Sequence, residues 1–207
     1  MKKSINILIT FVLLLTSFSS FAQKGNLADA LIKKMVNNLR DPKNVELSYT
    51  YQFDSGKDAK KQEGKAYMQG EQYKIIMNEQ QTISDGTVIW SYLVADKEVM
   101  ISHANDGNDN TPFKLISTLD RDYTAKFNGT DQDGVSSITL TNPKGQYRTV
   151  NVNIAKNGQL KNAEIISEDS SKLIIEVTEI KTNQKYDDSF FTFDEKAHPD
   201  VEIIDMR

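Results

Sequence analysis

The acid-rich segments of the chain come nearest, by residue type and spacing, to a metal site. The segment Asp131-Gln132-Asp133-Gly134 resembles the start of a calcium loop, which needs side-chain ligands at positions 1, 3 and 5 and a bidentate glutamate at position 12. With Gly134 at position 6, position 1 is Gly129 and position 12 is Leu140, so the ligands at positions 1 and 12 are missing. The segment 106–109 fails similarly. Both patterns indicate solvated turns, and no metal is predicted.

The sequence shows no motif typical of another kind of catalytic site. The chain has no cysteine, which excludes thiolate catalysis, iron–sulfur clusters and cysteine-based zinc sites. His103 and His198 lie far apart in polar stretches, and no Gly-x-Ser-x-Gly, phosphate-loop or His-Glu-x-x-His motif occurs. A glycosidase pair among the 29 acidic residues stays open as a lesser alternative, because such pairs have no spacing signature. The sequence therefore predicts a binding protein without a cofactor, and not an enzyme.

The N-terminus has the pattern of a secretory signal. Lys2 and Lys3 precede an apolar run from Ile5 to Phe18, and small residues follow at Ser20-Phe21-Ala22. A membrane anchor is the alternative, but a span needs about 20 predominantly apolar residues, and this run is shorter and interrupted by polar residues. We expect a cleaved signal peptide over residues 1–22, a single domain over residues 23–207, and a periplasmic location.

The charge of the chain argues against a nucleic-acid partner. The formal net charge is −4, and the lysines and arginines are scattered singly among acids. Nucleic-acid binding usually requires a basic patch, and the sequence shows none.

A helix is predicted at the start of the mature chain. Asn26 is a suitable N-cap, and Asp41-Pro42 stops the helix. Between them Leu27, Leu31, Met35 and Leu39 recur every four residues and form an apolar stripe. We expect this helix to pack on a sheet.

Most of the remaining chain alternates apolar and polar residues with a period of two, which is typical of half-buried strands. Turn signals recur every 8–12 residues or so, and Asn157-Gly158 is the strongest of them. This spacing predicts a meandering antiparallel sheet with strands at Val45–Phe53, Gly64–Met68, Tyr73–Met77, Val88–Val94, Val99–Ser102, Ser136–Thr141, Thr149–Ile154, Leu160–Ser167 and Lys172–Ile180.

A second helix is predicted within the meander. Thr111 is a good N-cap and Pro112 fits the first helical position. Phe113, Ile116 and Leu119 then give a short helix with an apolar surface. Such a helix would lie across the sheet or its open edge.

The early strands concentrate large and flexible apolar side chains. Such residues can line a cavity for an apolar ligand, although they also fill ordinary cores. The candidate ligand-contacting residues, taken with the two helices, are Leu31, Met35, Leu47, Tyr49, Tyr51, Phe53, Tyr67, Tyr73, Met77, Trp90, Tyr92, Met100, Phe113, Ile116 and Leu119.

The order of these features resembles the periplasmic lipoprotein carrier (LolA) family. The similar stretches are the N-terminal helix, Tyr49-Thr50-Tyr51-Gln52-Phe53, Glu63-Gly64 to Tyr67, Ile83-Ser84-Asp85-Gly86 with Ile89-Trp90-Ser91-Tyr92, Asn110 to Ile116, and Phe191-Thr192-Phe193 with Asp200-Val201-Glu202-Ile203, where the family has its closing strand and tail. Together they cover essentially the whole chain after residue 22.

The resemblance implies a mainly β fold of the α+β class, an unclosed antiparallel β-barrel of about eleven strands with α-helices as a lid over its concave face. It implies a monomeric periplasmic chaperone that shields the acyl chains of lipoproteins between the inner and outer membranes. The partners would be acylated lipoproteins, an inner-membrane lipoprotein-releasing transporter and an outer-membrane acceptor. Leu47, Tyr49, Tyr51 and Phe53 would form one lining face, or the opposite face of that strand would do so.

One turn departs from the family pattern. The family's best-known members carry an Arg-Pro pair in the turn after the second strand, and the arginine there holds the lid shut. Here the turn is Gln69-Gly70-Glu71-Gln72, without either residue. A same-fold binder of another apolar ligand, such as a glycolipid or a lipoprotein-sensing regulator, therefore stays open beside the carrier, as does a structural domain whose aromatic residues only fill the core.

Overall fold

One helix and a single twelve-stranded sheet form the described part of the chain. The computed structural model describes residues 27–40, 44–54, 60–104, 115 and 118–207. Helix α1 covers residues 27–40. The strands are β1 Val45–Phe53, β2 Gln62–Gln69, β3 Gln72–Met77, β4 Gln80–Ser84, β5 Val88–Leu93, β6 Glu98–His103, β7 Thr124–Thr130, β8 Ser136–Thr141, β9 Tyr147–Ile154, β10 Leu160–Ser167, β11 Lys172–Lys181 and β12 Glu202–Asp205, with a 3₁₀ helix at Asp188–Phe191 before β12.

The sheet is unclosed, with β12 at one edge and β7 at the other. Its strand order is β12-β6-β5-β4-β3-β2-β1-β11-β10-β9-β8-β7. Every neighbouring pair is antiparallel except β12 and β6, which are parallel. The predicted fold class, a mainly β, unclosed antiparallel barrel with α-helices over one face, is confirmed, with twelve strands instead of about eleven and with one α-helix in the described residues.

The two meanders of the sheet meet at one seam. Strands β2–β6 continue from one side of β1, and strands β7–β10 reach it through β11. The β1–β11 ladder joins Phe53 to Leu173 and Leu47 to Ile180, with a bulge after Ser48. The Thr178 hydroxyl donates to the Ser48 carbonyl at 2.9 Å beside this bulge.

Helix α1 covers one face of the sheet, which we call the helix face. Its buried residues Ala28, Ile32, Met35 and Val36 belong to one core with strands β8–β10. Leu39, in the last turn, joins a second core formed by β1, β2 and β3. Of the four-residue repeat predicted for this helix, Met35 and Leu39 are buried, Leu31 is half-buried and Leu27 is 44% exposed. The buried stripe therefore runs through Ala28, Ile32 and Val36 beside the predicted positions. No helix of the described chain is long and apolar enough to span a membrane.

The C-terminal segment covers the opposite face, which we call the tail face. Tyr186 and Phe190 contact Tyr67 of β2, with ring centroids 5.6 and 5.1 Å apart. Phe193 contacts Tyr92 of β5 at 5.2 Å. The Tyr186 hydroxyl also donates to the half-buried Glu46 carboxylate at 3.3 Å. The family resemblance implied a closing strand at Phe191-Thr192-Phe193. In the structure Phe191 is instead the last residue of the 3₁₀ helix, and the last strand is Glu202–Asp205.

Candidate ligand-binding site

A row of apolar side chains on β1 forms the centre of the helix face. Val45, Leu47, Tyr49 and Tyr51 are buried, while the intervening residues are partly exposed. The strand alternates apolar and polar residues, so one face of the pleat collects the large side chains. With a rise of roughly 3.3 Å per residue, the row is about 26 Å long from Val45 to Phe53. We call the side chains of Val45, Leu47, Tyr49, Tyr51 and Phe53 the β1 row.

The aromatic rings of the β1 row contact one another along the strand. The Tyr49 and Tyr51 centroids are 6.2 Å apart, and Tyr51 and Phe53 meet edge to face at 5.9 Å. The Tyr51 hydroxyl donates to Gln62 Oε1 at 2.5 Å, and the Tyr49 hydroxyl donates to the Ile76 carbonyl at 3.4 Å. Since both hydroxyls have partners, the rings present apolar surface.

Neighbouring strands extend this apolar surface on both sides. Residues directly opposite each other in paired strands point to the same face, so the register of the ladders assigns the faces. On one side the helix face continues with Ala66, Met68, Tyr73, Ile75 and Met77, and on the other with Leu173, Ile175, Val177 and Ile180. Met100 of β6 lies on the same face through its partner Ser91.

A cavity of about 410 Å³ opens at the end of the β1 row. Tyr51, Met77 and Leu93 contribute apolar surface to it. Phe53 and Val94 also line it and are the exposed apolar residues here, with Phe53 54% exposed. Glu79 and Asp96 add acidic groups. An exposed aromatic residue beside a buried apolar row offers an entrance for an apolar chain.

Helix α1 and the segment around Leu119 lie over the other part of the helix face. Leu31 is partly buried and Met35 fully buried against the core of β8–β10, which Leu119 also joins. Arg40, in the last turn of α1, forms an ion pair with Asp120 at 2.8 Å. The ion pair links the C-terminal end of the helix to the residues after the segment 105–117.

Three candidate residues lie on the opposite face. Tyr67 pairs with Glu46 and Lys74, which places it on the tail face. Trp90 and Tyr92 pair with Ile83 and Gln81 and contribute to the core under the C-terminal segment. This corrects the expectation that all the early aromatic residues line one cavity. Alternation gives the two faces of each strand, but only the register shows which faces coincide.

Two candidate residues, Phe113 and Ile116, lie outside the described residues, as do the predicted caps at Asn26 and Thr111, the Asp41-Pro42 helix stop, and residues 1–22. The other candidates, which are Leu31, Met35, Leu47, Tyr49, Tyr51, Phe53, Tyr73, Met77, Met100 and Leu119, all lie on the helix face or pack against it.

β11 contributes residues to the helix face that the sequence pattern did not predict. Leu173, Ile175 and Val177 pair with Phe53, Tyr51 and Tyr49 respectively. The sequence there contains three consecutive apolar residues, Leu173 to Ile175, so alternation does not single out one face. These residues could have been identified only from the pairing of β11 with β1, which the sequence alone does not show.

The two tyrosines at the centre of the helix face are held in their neutral form. Burial is the main cause that raises the pKa of Tyr49, with a further contribution from Tyr51, and burial also raises the pKa of Tyr51. Both phenols therefore stay neutral well above pH 7. Among the described residues no group of three or more histidine, aspartate or glutamate side chains could hold a metal ion.

Fold and site together define a class: an unclosed β-barrel whose apolar inner face is covered by a helix. The chain belongs to the LolA family. The family model described as "Outer membrane lipoprotein carrier protein LolA" matches residues 51–194, which include eleven of the twelve strands in whole or in part. The family is named for carriers and not for an enzymatic activity.

Curated relatives carry the same name. The outer-membrane lipoprotein carrier protein of Pasteurella multocida (strain Pm70) is 26% identical over 208 residues, covering 98% of each chain. That of Haemophilus influenzae (strain Rd) is 28% identical over 129 residues, and this match spans only 62% of either chain. A crystal structure of an uncharacterized conserved protein from Thermus thermophilus covers 86% of this chain and 98% of its own, with a TM-score of 0.56 and 11% identity; it supports the fold alone.

Proposed function

We propose that this protein is a periplasmic carrier that shields the acyl chains of lipoproteins and moves them from the inner to the outer membrane. The observation that carries the proposal is the β1 row, which runs from a helix-covered core to a cavity with the exposed Phe53 at its edge. Family membership and the names of the relatives support the cargo class. The proposed transport involves no covalent step, so it is not an enzymatic reaction.

The physical need for such a carrier follows from the cargo. Burying a CH₂ group contributes about 0.8 kcal/mol, so an acyl chain of about 16 carbons is worth roughly 12 kcal/mol. A lipidated protein therefore does not cross an aqueous gap unaided. The β1 row would replace water around the chain, and α1 would act as part of the lid. The donor would be a lipoprotein-releasing transporter and the recipient an outer-membrane acceptor.

Phe53→Asp tests the proposal at an exposed position, where the fold tolerates change. The lost apolar contact should weaken binding of a fluorescent lipopeptide roughly tenfold or more, because burying a large apolar side chain contributes about 1.5–3 kcal/mol. The measurement is a fluorescence titration of wild type and variant.

The matched control is Ile203→Asp. Ile203 is also an exposed apolar residue, 43% exposed, but it pairs with Val99 on the tail face. Its variant should bind the lipopeptide like the wild type. Equal losses in the two variants, or no lipopeptide binding by the wild type, would rule out the β1 row as the cargo site.

The same-fold alternative is favoured by one observation, the turn between β2 and β3. Gly70 takes a φ of +60° there, and the turn contains no arginine to hold the lid. Native mass spectrometry of the protein isolated from the periplasm separates the two functions. A co-purifying acylated lipoprotein supports the carrier, and a co-purifying glycolipid supports the alternative.

A further inference from the structure

A cavity of about 240 Å³ lies on the tail face, between the sheet and the C-terminal segment that covers it. Strands β3, β4 and β5 form its floor, and the segment from the 3₁₀ helix to His198 forms its roof. We call it the tail cavity. The lining residues that could hold a ligand by charge or by apolar contact are Lys74, Ile83, Tyr92, Phe190, Phe193 and Asp194.

The size of the tail cavity limits what it can hold. Pockets for drug-sized ligands have volumes of roughly 300–1,000 Å³, and the tail cavity is smaller than that range. The ligand that fits is therefore a small molecule.

Apolar side chains form the inner walls of the tail cavity. Ile83, Tyr92 and Phe193 are buried, and the ring centroids of Tyr92 and Phe193 are 5.2 Å apart. His198 stacks on Phe193 with its ring centroid at 5.1 Å. Thr192 is exposed and belongs to the mouth. A ligand would therefore place an apolar body against the rings and its polar groups elsewhere.

Lys74 contributes a half-buried cation to the floor of the tail cavity. It pairs with Tyr67 and Ile83 on the adjacent strands, and its Nζ atom lies 5.0 Å from the centre of the Phe190 ring. Burial lowers the pKa of Lys74, and no carboxylate of the described chain forms an ion pair with it. A partly desolvated ammonium without an opposite charge is unfavourable, so a ligand carboxylate would supply the partner that Lys74 lacks.

Asp194 contributes the opposite charge at the exposed mouth of the tail cavity. Its Oδ1 atom accepts the backbone N–H groups of Lys196 at 3.0 Å and Ala197 at 3.2 Å, which fixes the position of the carboxylate. The neighbouring exposed residues Glu195 and Lys196 carry opposite charges. Asp194 and Lys74 line the same small cavity but form no ion pair with each other. The space between them is therefore open to a ligand that can meet both charges.

We infer that the tail cavity binds a small zwitterion, such as an apolar α-amino acid. The ligand carboxylate pairs with Lys74, its ammonium lies near Asp194 at the mouth, and its apolar body packs on the rings. A ligand that carries only one of the two charges leaves the other wall unmatched. The tail cavity and the β1 row lie on opposite faces of the sheet and share no residue, so the inference goes beyond the proposed function and does not depend on it.

The test compares three probes of similar size with the whole protein. They are L-leucine, L-leucinamide, which lacks the carboxylate, and isocaproate, which lacks the ammonium. Isothermal titration at about pH 6.5, where α-amino groups are protonated, should show L-leucine binding roughly tenfold tighter than either analogue, because each analogue loses one charged hydrogen bond. Trp90 is the single tryptophan of the chain and packs on the core that contains Tyr92 and Phe193, so its fluorescence reports occupancy of the tail cavity.

Two variants each remove one charge and little else. Lys74→Met keeps the apolar stem of the lysine and should leave L-leucine bound no better than L-leucinamide. Asp194→Asn keeps the Oδ1 acceptor for the two backbone N–H groups and should leave L-leucine bound no better than isocaproate. The matched control is Lys126→Met on β7, outside the tail cavity, which should keep both preferences.

The affinity ratios separate a binding role from a structural one. A variant that only disturbs the roof of the cavity weakens all three probes alike and leaves their ratios unchanged. Unchanged ratios in Lys74→Met and Asp194→Asn, or equal affinity of the wild type for the three probes, would overturn the inference. Absence of both binding heat and a change in Trp90 fluorescence with every probe would overturn it as well. A failure of lipopeptide binding would count against the carrier function alone.

Discussion

Gly64 is the residue on which the position of the Tyr49 ring depends. A Cβ atom at Gly64 would lie 2.5 Å from Cε2 of Tyr49, which is closer than carbon atoms pack. The two residues are direct partners in the β1–β2 ladder, and the ring lies over the space that glycine leaves. The missing side chain on β2 therefore lets a large ring lie close to the sheet.

Gly64→Ala should destabilise the protein by about 1–3 kcal/mol, the usual cost of overpacking a filled core. The free energy of unfolding would be measured by urea denaturation. In a Tyr49→Leu background the ring is absent, so the same Gly64→Ala change should cost much less. An equal cost in both backgrounds would show that the effect comes from the backbone of β2 and not from the ring.

The orientation of single side chains was predictable within strands but not between them. The alternation of β1 correctly predicted that Leu47, Tyr49 and Tyr51 share a face. It did not predict that Tyr67 and Trp90 face away from them, because that depends on the ladder register. A pattern of period two fixes relative orientation along one strand only.

At the scale of elements, strands with strong alternation were predicted closely. The bounds of β1, β8 and β10 agree with the structure residue for residue. Alternation predicted no strand at β4, β7 or β12. β7 is an edge strand with a bulge after Phe127, and its alternate residues are only half-buried. Because Ala125 and Phe127 are its only apolar side chains, the hydrophobic alternation is too weak to predict the strand.

Strand β12 protects the edge of β6. Glu202 N donates to the Lys97 carbonyl at 2.8 Å and Met206 N to the Ile101 carbonyl at 2.9 Å. β12 is only four residues long and has acidic residues at both ends. Short, charged edge strands resist pairing with other chains, so β12 terminates the sheet at this side.

Deletion of residues 202–207 should cause concentration-dependent self-association. The deletion leaves the backbone of β6 unpaired beside the buried residues Val99 and Ile101, and an unpaired edge is a template for a second chain. Analytical ultracentrifugation over a concentration series measures the effect. Ile203→Lys keeps β12 and serves as the control that should not associate. A deletion variant that stays monomeric at all concentrations would contradict this role.

At the scale of the whole molecule, two half-buried tyrosines, Tyr123 and Tyr186, couple stability to alkaline pH. Burial is the main cause that raises the pKa of Tyr123 to about 12 and that of Tyr186 to about 12, and the Glu46 carboxylate adds to the second. An unfolded tyrosine titrates at about 10. The folded state therefore retains these phenolic protons where the unfolded state has lost them, and stability falls as pH rises.

The free energy of unfolding should thus keep the full tyrosine contribution below about pH 10 and lose it progressively towards about pH 12. Urea denaturation at a series of pH values, combined with tyrosinate absorbance, measures the loss. Tyr123→Phe cannot ionise and should reduce the slope above about pH 10. If all tyrosines ionise near pH 10 without any loss of structure, the expected coupling is absent.

The seam between β1 and β11 joins distant parts of the chain and therefore affects the order in which the strands pair during folding. The chain between Phe53 and its partner Leu173 contains every strand from β2 to β10. Hairpins on either side can form locally, but the ladder that unites them must close a very long loop, which is entropically costly and slow. The two meanders can therefore join only after β11 has been synthesised. Such a delay is compatible with passage of the unfolded chain through a secretion channel, which the signal segment predicted at its N-terminus would require.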